Sequence, residues 1–365
     1  MSRAVANGHG ARDTPAVEEG AVAHDPCNPV PLYLTAIACR RRGDIDGWRT
    51  AVDSAFQRHH SSPEQRYYRA FAKLRMGDWS GWGDYEARHL APHVKSQDID
   101  FAREVRWTHG QWDGVESLVD KTLLVLNEQG IGDAIQMLRF IPTLAARVGK
   151  VVASVTPRLI PLVDFNFGSL IDIRVDGMAQ PITYDRYAWN MSLPALIGYL
   201  PCFVPLRAPR RRVPLATRQR PIRAGVCWAG NPLLDGDSDR SIPIDALSPL
   251  FARSDVEWYS LQVGERASEG ASCPGLITPS PELTSFADTA DVIVELDYVV
   301  TVDTAVCHLA GSLGVPVLLL LSVAAEWRWG EEDRTPWYPS MCLIRLRTPG
   351  DWRDVIDSVD RTLTH

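Results

Sequence analysis

Three short stretches combine acidic, glycine and hydroxyl residues in ways that suit chemistry on a charged ligand. The first is Glu128-Gln129-Gly130-Ile131-Gly132-Asp133. Gly130 and Gly132 remove side chains where a ligand must approach the backbone. Asp133 stands where a helical periodicity begins. It serves there either as a helix cap or as a general base taking a proton from a hydroxyl. The segment is neither the G-x-G-x-x-G fingerprint nor a phosphate loop with its lysine. The second stretch runs from Thr301 to Gly311 as TVDTAVCHLAG. Asp303 and Thr304 fall between an apolar run and a helical one. The N–H groups and dipole of such a helix start favour an anion such as a diphosphate. His308 lies one turn beyond Thr304 on the same face, where it is either a ligand contact or a core histidine. The third is Asp239-Arg240-Ser241, downstream of Trp228-Ala229-Gly230-Asn231-Pro232. An arginine on a cleft loop offsets leaving-group charge; elsewhere it is an ordinary solvated side chain. Gln262 closes a strand-like run and suits a base or ribose, or is merely a polar strand end. Glu326-Trp327-Arg328-Trp329 frames a pocket or packs in a core.

Metal-ligand spacing is missing from this set. No Asp-x-Asp strand-end pair or Cys/His cluster occurs. Asp235, Asp237 and Asp239 alternate without the downstream bidentate glutamate of a calcium loop. No metal and no resident cofactor is expected.

Positioning these stretches requires parallel α/β units. Lys121–Asn127 is a continuous apolar run, as in a buried parallel strand. A helix is expected over Ala134–Val148, with Pro142 as kink or boundary, and a second strand over Val151–Val155. The pattern restarts with strands at Ala224–Trp228, Glu257–Leu261, Tyr298–Val302 and Val315–Leu321. Helices are expected at Pro243–Phe251, Phe286–Val294, Thr304–Leu313 and Asp351–Leu363. Arg207–Arg223 lies between the halves with seven arginines and no acid, and reads as a solvated linker or, alternatively, a phosphate or acceptor surface.

Upstream, Pro29–Trp48 shifted by 34 residues meets nine identities in twenty positions, among them Pro29/Pro63, Tyr33/Tyr67, Gly43/Gly77 and Trp48/Trp82. A 34-residue period with small alanines and a Gly-Asp turn is the signature of tetratricopeptide-type helical repeats. Two repeats fall short of a free-standing array, so a short arm leaning on the next domain is expected.

The 365 residues carry 38 Lys+Arg against 45 Asp+Glu, a net charge of −7. That disfavours nucleic-acid binding through bulk charge. The longest apolar run, Val315–Leu321, is far below the ~20 residues of a membrane span. Seven cysteines without C-x-x-C spacing fit a reducing compartment, and a cytoplasmic protein is expected. The first 26 residues read as a disordered leader.

Together the motifs resemble bacterial tetratricopeptide-repeat glycosyltransferases, whose catalytic part is similar to the heptosyltransferases (glycosyltransferase family 9-like). The resemblance runs from about Pro29 to Leu363. It rests on Tyr85-Glu86-Ala87-Arg88, Trp112-Asp113-Gly114, the Glu128–Asp133 stretch, Trp228–Pro232, Asp239–Ser241, Ser260-Leu261-Gln262, Phe286–Ala290, Val302–Gly311, Trp327-Arg328-Trp329 and Trp337–Ser340 in order. It implies a GT-B fold, two Rossmann-like domains facing a cleft, and a sugar transfer that is metal-independent and inverting. On this reading the chain divides into a leader (1–26), two helical repeats (27–96), an acceptor-side domain (97–215), a nucleotide-sugar-side domain (216–350) and a C-terminal helix (351–365).

The implied catalytic residues are Asp133 as base and Arg240. Implied donor contacts are Gln129, Gly130, Gly132, Trp228, Asn231, Ser241, Gln262, Asp303, Thr304 and His308. The donor is an ADP-heptose or a UDP-sugar; the acceptor is a hydroxyl of a protein, peptide, glycan or small molecule. The alternative is a non-catalytic nucleotide-sugar-binding or protein-interaction module. Leu234, Glu326 and Cys307 depart from the residues more usual in such relatives and bear on donor choice.

Overall fold

The computed structural model describes residues 27–91, 110–177, 182–198, 203–210, 215, 218–232, 237–271, 273–279 and 283–364. The expected leader, Trp107, Cys202, Leu234 and Asp235 lie outside them.

The arm begins with α1 (Val30–Arg41) and α2 (Ile45–Phe56), then α3 (Pro63–Arg75) and the short α4 (Gly81–Tyr85), which runs on as a 3-10 turn, Glu86–His89. Local chemistry sets these boundaries. Pro31 and Pro63 sit in first turns, where the missing N–H costs nothing. Asp44 caps α2 at Gly47 N, 2.8 Å, and Ser62 and Gln65 form a reciprocal capping box on α3. Gly43 and Gly77 take φ of 78° and 76° after α1 and α3, the left-handed stop that glycine adopts without strain.

The first sheet is parallel, with β1 (Leu118–Leu126), β2 (Val148–Val155), β3 (Asp172–Val175) and β4 (Arg186–Trp189) in the order β3-β2-β1-β4. Its helices are α5 (Ile131–Met137), α6 (Ile141–Ala145), α7 (Ile160–Phe167) and α8 (Leu193–Ile197). The second sheet is also parallel, with β5 (Ile222–Cys227), β6 (Val256–Ser260), β7 (Leu276–Ile277), β8 (Tyr298–Val302), β9 (Val317–Leu321) and β10 (Met341–Arg345) in the order β10-β9-β8-β5-β6-β7. Between its strands lie α9 (Asp237–Arg240), α10 (Ser248–Phe251), α11 (Ala267–Ala271), α12 (Phe286–Ile293) and α13 (Ala305–Leu313). The chain closes with α14 (Arg353–Thr362). This is a mixed α/β architecture: two parallel sheets, each with helical crossovers.

Several expectations are corrected. The helix expected over Ala134–Val148 is two helices, α5 and α6, joined by a 3-10 turn, Leu138–Phe140, and Val148 already opens β2. Pro142 cannot donate to the carbonyl a turn earlier and its ring crowds it, so the preceding turn tightens and a new helix starts. The Pro243–Phe251 helix is likewise a 3-10 turn followed by α10. Strands β3, β4, β7 and β10, beyond those expected from apolar runs, lie at sheet edges; β3, β4 and β7 span only two to four residues, too few for a period to show. The arginine-rich linker is not simply solvated. Arg223 is buried in β5 against Glu257, 3.0 Å, and Arg218 pairs with Asp297, 2.8 Å. Its Arg211 and Arg212 lie outside the described residues.

One hydrophobic core joins all three parts. Leu74, Trp82 and Tyr85 of the arm share it with Leu123, Ile135 and Phe140 of the first unit and Leu309, Trp327, Trp329 and Trp337 of the second. The α1–α2 pair builds a smaller core around Tyr33, Trp48 and Val52, which Ala72 and Tyr68 of α3 join.

Candidate functional site

In each sheet the strand order reverses once, between β1 and β4 in the first and between β5 and β8 in the second. The crevice outside the carboxyl ends at such a reversal is where open parallel sheets bind ligands. The loop after β1 leads into the Gln129–Asp133 segment, the loop after β5 carries Trp228–Asn231, and β8 ends at Asp303–Thr304. The topology therefore brings the expected residues of both halves to two facing reversal points.

At their junction lies Arg328, its side chain 5 % exposed. Its guanidinium pairs with Asp133 Oδ1 and with Glu326, and its Nε donates to Gln136 Oε1 at 3.2 Å. Burial works against its charge, but the carboxylates of Asp133 and Asp303 more than compensate and hold it firmly protonated. Asp133 Oδ2 accepts the Gly130 N–H at 2.9 Å, so the aspartate also caps its own helix. A carboxylate offers about four lone-pair sites, and each oxygen retains one beyond these bonds.

Asp303 Oδ2 accepts the Trp329 indole N–H at 2.7 Å. Its enclosure raises the carboxyl above the ordinary range, against the pull of Arg328, Trp329 and Arg240. Thr304 is the extended N-cap of α13 and makes no side-chain cap bond; its hydroxyl lies 3.4 Å from Thr301 Oγ1. His308 is buried, with Nδ1 2.8 Å from the Tyr338 hydroxyl. Burial, together with Arg328 and Arg139, pushes its imidazole well below the usual histidine value, so it is neutral. A Cβ on Gly132 would lie 2.8 Å from His308 Cδ2 and 3.5 Å from Ala305 Cα. Glycine at 132 thus lets α5 and α13 meet across the two halves.

The other expected contacts divide into two groups. Asn231 is exposed, and Arg240 is partly exposed, with its Nε on Asp237 Oδ1 at 2.9 Å. Ser241 Oγ accepts the Gly230 N–H at 3.1 Å. Gln129 is exposed, and its amide donates to the Tyr85 hydroxyl at 2.7 Å. Trp228 is wholly buried, its indole N–H on Glu269 at 2.8 Å. Gln262 is buried too, with Oε1 accepting the N–H groups of Trp228 and Ala229 at 3.1 and 3.0 Å. In this conformation these two side chains shape the loop after β5 and present no surface to a ligand.

Sequence reasoning left four participants outside its list. Arg328 was visible only as part of a tryptophan-flanked motif. Gln136 and Arg139 belong to none of the motifs, yet both are buried. Arg139 donates to Trp337 O at 3.0 Å and lies 5.0 Å over the Tyr338 ring. Trp329 had been weighed as a pocket wall or as core, and its indole holds Asp303. Asp303, Cys307 and His308 also bring three donor atoms within 4.8 Å of one another. That is a candidate cation group which sequence spacing did not suggest. The Cys307 thiol is pushed well up by burial and by Asp303, which keeps it protonated. In the first unit a cavity of about 40 Å³ opens at the ends of β1 and β2, lined by Asn127, Ser154, Asn190 and apolar side chains of α5, α6 and α8.

Residues 278–351, which include Asp303–His308 and Trp327–Trp329, match the model of glycosyltransferase family 9 (heptosyltransferase). The resemblance drawn from the motifs is thereby met in the second unit; the match does not extend to the helical arm. Protein FlbA of Caulobacter vibrioides is 25% identical over 361 residues, covering 88% of this chain and 59% of its own. The chain thus spans about three-fifths of the length of that curated relative. The glycosyl transferase family 9 structure from Veillonella parvula is similar over 68% of this chain and 92% of its own, at 11% identity and a TM-score of 0.46. E. coli heptosyltransferase WaaC with ADP-2-deoxy-2-fluoro heptose is similar over 67% and 99%, at 12% identity and a TM-score of 0.46.

Proposed function

We propose that this chain, with its family 9 segment at residues 278–351, transfers a sugar from a nucleoside-diphosphate sugar to an acceptor hydroxyl. The observation that carries the reading is the meeting of Asp133 and Asp303, from the two strand-order reversals, around the guanidinium of Arg328. In this reading residues 97–215 form the acceptor side and 216–350 the donor side. The donor diphosphate lies over the start of α13, where N–H groups and the helix dipole meet its charge. Asp133 accepts the acceptor's proton as that oxygen attacks the anomeric carbon. The bond from the anomeric carbon to the phosphate oxygen breaks, and the nucleoside diphosphate leaves with the electron pair. Arg240 and α13 stabilise it. A direct displacement of this kind inverts the anomeric centre.

The step is read as metal-independent because Arg328 and Arg240 both act on Asp303 and would repel a cation drawn to Asp303, Cys307 and His308. Activity unchanged by a chelator supports that reading; loss restored by a divalent ion overturns it. The donor is an ADP-heptose or a UDP-sugar, and the setting is the cytoplasm, where the six free cysteines among the described residues stay reduced. No helix among those residues is long and apolar enough to cross a membrane.

Mass spectrometry of products from a panel of nucleotide sugars, with mixed glycan and peptide acceptors, is the direct test. Release of nucleoside diphosphate with one donor is the expected result. Asp133→Ala is expected to lose about 10²–10⁴-fold of that rate, and a wild-type rate would end the base assignment. Calorimetric binding of ADP or UDP without turnover of any donor would leave a binding module instead.

A further inference from the structure

The helical arm reaches both sides of the candidate site, and at the residues next to the chemistry. Arg88 is 2 % exposed and grips Glu128, itself 3 % exposed, through both of its faces, with Nε 3.1 Å from Oε2. Its remaining N–H groups go to Ser192 Oγ and Glu86 Oε1, both at 2.8 Å, and to the Tyr85 carbonyl at 3.1 Å. Tyr85 lies beneath this guanidinium, 4.7 Å from ring centroid to cation, and its hydroxyl accepts the Gln129 amide N–H.

The residue so held is unusual. Gln129 has φ of 64°, in the left-handed region that a side-chain-bearing residue keeps only where its surroundings insist. The surroundings here are a chain of contacts. Arg88 fixes Glu128, whose N–H goes to Asn190 Oδ1 at 3.2 Å. Tyr85 fixes the Gln129 side chain, and the next N–H, of Gly130, is on Asp133. On the other side the Tyr85 ring lies 5.9 Å from Trp327, and Trp82 lies 5.2 Å from it edge-on. Trp327 immediately precedes Arg328, the partner of Asp133. Arg75 adds bonds to the Ala325 carbonyl, one of them 2.8 Å.

We propose that Tyr85 and Arg88 are positioning residues for the transfer: by holding the Glu128–Gly130 turn in its left-handed form they set the direction of Asp133, and the arm is thereby part of the catalytic apparatus. The inference rests on the proposed function for its catalytic half. The anchoring half stands on geometry alone, and the test separates them.

The test uses the full chain. Tyr85→Phe removes the acceptor for Gln129 and keeps the ring; Arg88→Lys keeps the charge and loses the fork. Amide hydrogen exchange over residues 127–134, without ligand, reads the anchoring. Consumption of the donor that the wild type uses reads the catalysis. In Tyr85→Phe the loop amides are expected to exchange about tenfold faster while β5 keeps its wild-type protection, so that the effect is local. kcat is expected to fall about ten- to a hundredfold with KM for the donor within about twofold, the mark of lost alignment. Glycine adopts positive φ without help, so in a Gln129→Gly background Tyr85→Phe should lower kcat less than about threefold. Arg88→Lys should move the same peptide in the same direction. Unchanged loop exchange in both variants overturns the anchoring. Faster exchange with unchanged kcat overturns the catalytic role. A wild type that consumes no nucleotide sugar sinks the proposed function and the catalytic half with it, and the exchange result still decides the anchoring.

Discussion

At Arg328 one buried guanidinium serves carboxylates from both halves of the molecule, Asp133 and Glu326 by direct pairing and Asp303 through space. Removing one member of such a pair strands the other in a poorly solvated place. Arg328→Met is therefore expected to destabilise the chain by about 3–5 kcal/mol, read from the urea midpoint, with Arg328→Lys between it and the wild type. A loss below about 1 kcal/mol would show that solvent reaches these groups. His308 makes a second prediction at this scale. Its folded pKa lies below its unfolded one, so the unfolded chain binds the proton first and acid favours unfolding. That penalty is absent above about pH 6.5 and grows as the pH falls below it. His308→Gln should lose less stability than the wild type between about pH 7.5 and 5.5, compared by denaturation at both values; equal losses would assign the acid sensitivity to other groups. The candidate residues Asp133, Asp303 and Thr304 were legible in sequence because each lies where an apolar run gives way to a helix. Arg328, Gln136 and Arg139 were not legible, because their burial depends on an opposing half some 190 residues away.

Among the elements, α5 and α13 decide how closely the halves meet. Both start at strand ends, and their contact passes over Gly132, where a methyl would collide with His308. Gly132→Ala is expected to cost about 1–3 kcal/mol by overpacking and to lower transfer. The cost should shrink when His308→Ala is added, which a double-mutant cycle of denaturation midpoints measures. Strict additivity would show that the ring is not what the methyl meets. The central strands β1, β2, β5, β6, β8 and β9 were readable from their apolar runs, since a strand covered on both faces has little polar alternation to obscure it. The edge strands β3, β4 and β7 were not, because they span only two to four residues. Pro142 was readable as a kink or boundary, because its ring stops the hydrogen-bond ladder, but the 3.6-residue periodicity continues across it and hides the 3-10 turn Leu138–Phe140.

For the whole molecule the arm is the decisive piece. Its third and fourth helices share the central core with both halves, while its first two helices build a smaller core that α3 joins. Deleting residues 27–57 is expected to leave a folded chain with a modestly lower melting temperature. Deleting through residue 91 uncovers Trp327 and Trp337 and leaves Glu128 buried without Arg88. That chain is expected to aggregate or to melt at least about 10 °C lower, by light scattering and calorimetry. Equal behaviour of the two truncations would mean that the shared core is dispensable.

By itself the sequence determined the central strands, the helices that follow them, the turn glycines and the family 9 motif, because each depends on neighbours a few residues apart. Only the tertiary structure decided that Arg328 stands between Asp133 and Asp303, that Trp228 and Gln262 turn inward, and that Tyr85 and Arg88 grip the loop ahead of Asp133. Those outcomes depend on which surfaces are left for one another once two sheets and an arm have buried their apolar faces, and no local pattern encodes that choice.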